Sequence, residues 1–210
     1  MSENPRIVRV GIIDSGLDLP SPQCASFYPD GRNVSGYEPP KHDHGRIIAS
    51  MIAGERIELY SAKVFHDTLT TTPEQIATAI GHLSRFRPDI IHMSLGTVHD
   101  RPAVRMYCER YLANGGIVVA SIPTQGSQEV YPAAYNGVIR VCADGRCPSN
   151  RWSITGSEPI RFGASPLSGH PIIRGSSVAA ARISGHIARF LLEGGESSDV
   201  VDYLCAKALR

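Results

Sequence analysis

The sequence lacks an excess of either charge: its 210 residues carry 21 Lys and Arg against 20 Asp and Glu, a formal net charge of +1. It also has no long run of Lys or Arg, so neither nucleic acid nor an anionic membrane surface is expected as a partner. Long apolar runs are missing as well. Ile7 to Ile13, directly after Met1-Ser2-Glu3-Asn4-Pro5-Arg6, is too short and too soon interrupted for a signal-peptide core or a membrane span, and a cytoplasmic chain is expected. Cysteines are few and odd in number: Cys24, Cys108, Cys142, Cys147 and Cys205 show no paired metal-ligand spacing, so in a reducing compartment they should stay thiols. Cys142 and Cys147 lie close together, but no second Cys/His pair stands at a spacing that would complete a zinc site. Internal repeats, low-complexity stretches and linkers are absent too. With 42% hydrophobic and 20% charged residues, one globular domain over residues 1–210 is expected.

Short β-branched runs are present instead. Ile7 to Ile13, Ile57 to Phe65, Ile90 to Met93, Ile117 to Ala120 and Val138 to Cys142 read as strands buried on both faces, the pattern of a parallel sheet. Segments of helical period lie between them. Thr72-Pro73-Glu74-Gln75 supplies an N-cap, a first-turn proline and a capping-box Gln, after which Ile76, Ile80 and Leu83 share a face until Arg87-Pro88. Asp100-Arg101-Pro102 opens a second helix in the same manner; Val104, Cys108, Tyr111 and Leu112 form its stripe, and Asn114-Gly115-Gly116 ends it. Strand and helix alternating at this spacing imply βαβ units, hence a three-layer α/β/α domain with reactive groups at the carboxyl ends of the strands.

Three places carry chemistry. Val10-Gly11-Ile12-Ile13-Asp14-Ser15-Gly16 is an apolar strand ending in a carboxylate, which a buried imidazole N–H would explain and which a turn Asp would explain equally. Asp14-Ser15-Gly16 also fits the short aspartic-peptidase motif, but that chemistry needs two such carboxylates. Lys41-His42-Asp43-His44 precedes an apolar face of Ile47, Ile48, Met51 and Ile52, which puts His44 at the polar mouth of a buried helix. A His accepting a proton there needs a carboxylate close by, and Asp14 is available. A solvated loop or a metal site are the other readings of this stretch. Arg174-Gly175-Ser176-Ser177 opens an amphipathic helix through Val178, Ile183, Ile187 and Leu191, closed by Gly194-Gly195. Ser177 in the first turn is placed either as an N-cap or as a nucleophile whose neighbouring N–H groups favour an oxyanion.

The order Asp, His, Ser, with the local words around each, resembles the subtilisin-like serine peptidase (subtilase) family. Ile90 to Gly96, Gly116 to Ala120, Tyr131 to Ile139 and Phe162 to Pro166 are similar to further family segments, so the resemblance runs from about Val8 to Leu192. It implies a subtilisin-like fold and a serine endopeptidase. Ser177 would attack a peptide carbonyl, His44 would take and return the proton, and Asp14 would hold the imidazole tautomer. Ser94, Leu95 and Gly96 resemble the strand edge that pairs with an extended peptide substrate, and Val130 lies near the floor of a pocket that it would restrict.

The departures are equally definite. Where the family has an oxyanion Asn, this chain reads Ser121-Ile122-Pro123-Thr124-Gln125, leaving Thr124 or Gln125 as replacement donors. Arg46 and Ser50 replace small residues after the His, and Ala181 replaces a Pro in the nucleophile helix. Arg46 would close part of the cleft, bind an acidic substrate group or face solvent. No Asp-rich calcium loop of the family is visible, so no metal or other cofactor is expected. Nor is a pro-segment, which implies folding unaided or with a partner protein. A peptide-processing role, a non-catalytic peptide-binding scaffold and a transpeptidase or macrocyclase using the same acyl-enzyme are the alternatives the resemblance leaves open.

Overall fold

The computed structural model describes residues 5–18, 23–125, 128–157 and 159–209. Five strands run through its middle: β1 (Val8–Asp14), β4 (Ile57–Lys63), β5 (Ile90–Met93), β6 (Ile117–Ser121) and β7 (Ile139–Ala143). Two hairpins flank them, β2 (Cys24–Phe27) with β3 (Asn33–Ser35) and β8 (Trp152–Ser157) with β9 (Ile160–Ala164). Together they form a nine-stranded sheet in the order β3-β2-β4-β1-β5-β6-β7-β9-β8. Every pairing is parallel except the two within the hairpins, where β3 and β8 close the edges.

The pleat sorts the side chains into two cores. Val8, Val10 and Ile12 of β1 point to one face, where α1 (His44–Ile52) and α4 (Ser176–Leu192) cover them and α5 (Val200–Lys207) extends the same core beside Trp152. Ile13 and, on β5, Ile91 and Met93 point to the other, beneath α2 (Pro73–Ser84) and α3 (Pro102–Ala113). This is the expected three-layer α/β/α arrangement, and the five expected strands lie within two residues of their observed ends. The two hairpins and α5 lay beyond the sequence reading, because their strands are short and partly exposed and α5 is brief.

The helix ends are where expectation and structure part. Thr72 caps α2 with a full capping box: its hydroxyl accepts from Gln75 N at 3.2 Å, and the Gln75 side chain accepts from Thr72 N at 2.9 Å. α3 does not start in the same manner. Its N-cap is Arg101 with no side-chain cap, because Asp100 turns instead to Arg105, whose Nε donates to it at 3.2 Å. Neither Ser176 nor Ser177 is the N-cap of α4. That place is taken by Gly175, at φ 108, a conformation open to glycine and strained for other residues.

Candidate active site

Asp14 is the last residue of β1 and is 1% exposed. Its carboxylate accepts from Ser15 N at 2.7 Å and meets His44 Nδ1 at 2.8 and 2.9 Å through its two oxygens. A buried carboxylate is thereby paired and hydrogen-bonded, which removes most of its desolvation cost. The contact depends on two neighbours that sequence reasoning passed over. Ser15, fully buried, donates to His42 O at 3.1 Å and accepts from Gly45 N at 2.9 Å, tying the end of β1 to the start of α1. Gly45 must lack a side chain, since a Cβ there would lie 2.3 Å from Gly16 O. Ser15 directly after Asp14 and Gly45 directly after His44 are the signals that were available.

Burial alone would lower the His44 pKa, but the hydrogen bond and charge of Asp14 outweigh it, and the imidazole titrates above its ordinary value. With Nδ1 bonded to the carboxylate, Nε2 is the nitrogen left for chemistry. His44 and Ser177 line one cleft of about 480 Å³ together with Ser94, Leu95 and Gly96. Among the described residues no hydrogen bond joins the imidazole to the Ser177 hydroxyl; such bonds commonly tighten only when substrate is bound. Ser177 sits in the first turn of α4, where Gly175 offers no side-chain cap and the amide donors stay available to a ligand.

The remaining expected residues fall around this cleft. Thr124 Oγ1 lies 3.5 Å from Ser176 Oγ, one residue before Ser177, and Ser176 Oγ accepts from Ala143 N at 3.1 Å. Gln125 is exposed. Leu95 and Gly96 make no main-chain hydrogen bonds among the described residues, whereas Thr97 pairs with Tyr131 in both directions at 2.8 Å. Val130 packs so tightly on Gly96 that a Cβ there would come within 2.2 Å of its Cγ1. Arg46 faces away, paired with Asp43 at 2.7 Å. A larger hollow of about 720 Å³ lies at the opposite end of the strands, beside Asp89 and Gly116, and is lined by no potential nucleophile with a paired base. Among the described residues no group of three or more His, Cys, Asp or Glu is arranged to hold a metal ion, and no disulfide joins any two cysteines.

Residues 6–194 match the Subtilase family. The chain belongs to that family. Membership makes it a serine-type endopeptidase by class. Subtilisin DY of Bacillus licheniformis is 29% identical over 88% of this subtilase and 76% of its own length. The major intracellular serine protease of Bacillus subtilis (strain 168) is 28% identical over 64% of the chain, which spans half of that relative. Several further subtilisins, such as subtilisin E of Bacillus subtilis, match over 40% of their length. Among solved structures, the S41 psychrophilic protease has a TM-score of 0.74 at 18% identity, over 95% of this chain and 82% of its own. Sphericase likewise has a TM-score of 0.74, at 16% identity. These two likenesses establish the fold. Among the described residues of this subtilase, no helix is long and apolar enough to cross a membrane.

Proposed function

We propose that this subtilase cleaves peptide bonds through an acyl-enzyme on Ser177, with His44 as base and then acid, and Asp14 holding the ring. The observation that carries the reading is the buried Asp14–His44 contact, 2.8 Å long, opening onto the cleft that Ser177 also lines. An extended peptide would lie along Ser94, Leu95 and Gly96, the last two of which make no main-chain hydrogen bonds among the described residues, with its carbonyl at the tip of α4. Neutral His44 Nε2 takes the Ser177 proton as the hydroxyl attacks; the amides of the first turn of α4, with Thr124 as an added donor, face the developing oxyanion. The imidazolium then returns the proton to the leaving amine, and water enters by the same route to release the acyl group. Val130 on Gly96 favours small side chains at the cleaved residue.

We further read the substrate as an intracellular peptide or protein, a reading supported by the intracellular relative in Bacillus subtilis. A fluorophosphonate probe should label Ser177 in the folded protein, and Ser177→Ala should abolish both labelling and cleavage while peptide binding survives. Folded protein that stays unlabelled beside an active control would defeat the assignment and favour a binding scaffold. Thr124→Ala should slow turnover about a hundredfold if its hydroxyl supplies an oxyanion donor; an unchanged rate would remove Thr124 from that role.

A further inference from the structure

β5 carries a polar side chain with no part in the steps above. His92 has no solvent exposure. Its place in the pleat, alternate to Ile91 and Met93, turns it away from α2 and α3 and toward α4. Nδ1 lies 2.9 Å from Ser184 Oγ, in the middle of α4, and Nε2 lies 2.7 Å from Ser94 Oγ. Ser94 Oγ in turn donates to the backbone carbonyl of Ser177, at 3.4 Å.

One set of protons satisfies all three contacts. The Ser94 hydroxyl has a single proton and gives it to the Ser177 carbonyl, so it must accept from His92 Nε2–H. Nδ1 is then the unprotonated nitrogen and accepts from the Ser184 hydroxyl. Burial, the largest influence, lowers the pKa of this ring to about 4, so the neutral tautomer that the relay requires is the resident form. Ser177 and Ser184 are about two turns apart and share one face of α4. The ring therefore reaches the helix at its middle directly and at its first turn through Ser94. Filling the layer does not require this polarity: Ile90, two residues earlier on the same strand, is fully buried and apolar.

We propose that His92 is a positioning residue for the nucleophile: through Ser94 and Ser184 it fixes the distance and rotation of the first turn of α4 relative to the Ser94–Gly96 edge. It thereby aims the Ser177 hydroxyl at a carbonyl lying along that edge. The inference rests on reading Ser177 as the nucleophile. It concerns a residue that touches neither substrate nor the reacting atoms.

The test is the rate at which Ser177 is acylated by a p-nitrophenyl ester and labelled by a fluorophosphonate, above the titration of His44, with melting temperature measured in parallel. His92→Phe keeps a ring of similar size and removes both nitrogens; Ser94→Ala breaks only the link to the nucleophile. Each should lower the acylation rate about ten- to a hundredfold with KM little changed, as expected for a misdirected group rather than lost binding. The double variant should be no slower than His92→Phe, and His92→Gln, which keeps an amide donor for Ser94, should recover part of the rate. A His92→Phe protein that melts earlier yet acylates at the wild-type rate would overturn the proposal, as would losses that multiply in the double variant. If His92→Phe does not fold, wild-type acylation in Ser94→Ala overturns it just as firmly. Wild-type protein inert to both probes would refute the reading of Ser177 and this inference together, whereas equal reactivity in wild type and variants refutes this inference alone.

Discussion

Two histidines on the same side of the sheet behave in opposite ways. His44, at the head of α1, faces a carboxylate and titrates above its ordinary value. His92, in the neighbouring part of the site on β5, faces two serine hydroxyls and titrates near 4. Burial pushes both toward the neutral form, completely at His92 and only partly at His44, and only His44 has a carboxylate in hydrogen-bond contact to reverse it; hydroxyls that both give and take protons suit the neutral ring. On the proposed reading the same side chain moves a proton in one place and holds a fixed pattern of hydrogen bonds in the other.

The sharpest way to break the contrast is to remove the carboxylate. Asp14→Asn should cut turnover about ten-thousandfold, because the amide stabilises the wrong imidazole tautomer and does not balance the imidazolium. What activity is left should show its acidic limb at lower pH than the wild type: His44 must be neutral to act as base, its raised pKa sets the limb, and without Asp14 only the lowering effect of burial persists. A pH–rate profile of both proteins checks this, and an unmoved limb would detach His44 from the profile.

Moving the two partners apart comes next. Gly45→Ala puts a methyl group against Gly16 O and should force α1 away from β1, lowering turnover about a hundredfold through misplacement of the His44 ring. Full activity in that variant would show that the close approach is dispensable.

The third prediction sets the histidines against each other by pH. His92 is neutral in the fold down to about 4, whereas in the unfolded chain it takes up a proton near 6.5. Stability should therefore fall as pH drops from about 6.5 to about 4, by up to about 3 kcal/mol from this ring. His44 acts in the reverse sense: its raised pKa adds stability that is fully present below about 6.5 and is lost as pH rises through the folded value. Denaturant unfolding of wild type and Ser94→Ala across this range, with NMR titration of the two rings, separates the contributions. Two rings titrating together would erase the comparison.

The smallest effect lies at the rim of the cleft, which Thr71 and Pro73 line and Thr72 does not. Thr72→Ala removes one half of the α2 capping box and should cost about 1 kcal/mol of stability with turnover unchanged. A change in turnover would mean that the α2 layer is coupled to the reactive cleft. Helices α1 and α4, which carry His44 and Ser177, have no side-chain cap, and neither has α3, so the α2 box is a local device of one supporting helix.

How much of this was legible depended on how local each signal was. Asp14, His44 and Ser177 each stand in a short word that states its own surroundings: a carboxylate ending an apolar strand, an imidazole opening an apolar helix, a hydroxyl in a run of small residues. Thr72 and Gln75 were readable because a capping box closes within four residues. His92 was hidden in a run that reads as plain buried strand, and Ser184 in a helix of small residues, since nothing along the chain brings them together. The start of α3 was misread because Asp100 had a choice between the helix amides and Arg105.

By itself the sequence determined the alternation of buried strands and amphipathic helices and the family, and it supplied the three positions proposed as reactive, because those follow from periodicity and from short motifs. The tertiary structure alone decided what each polar group faces. That His92 meets two serines, how closely the expected Asp14–His44 pair comes together, and that Thr124 lies beside Ser176 are set by contacts between distant segments, whose geometry depends on the packing of β1, β5, α1 and α4 against one another.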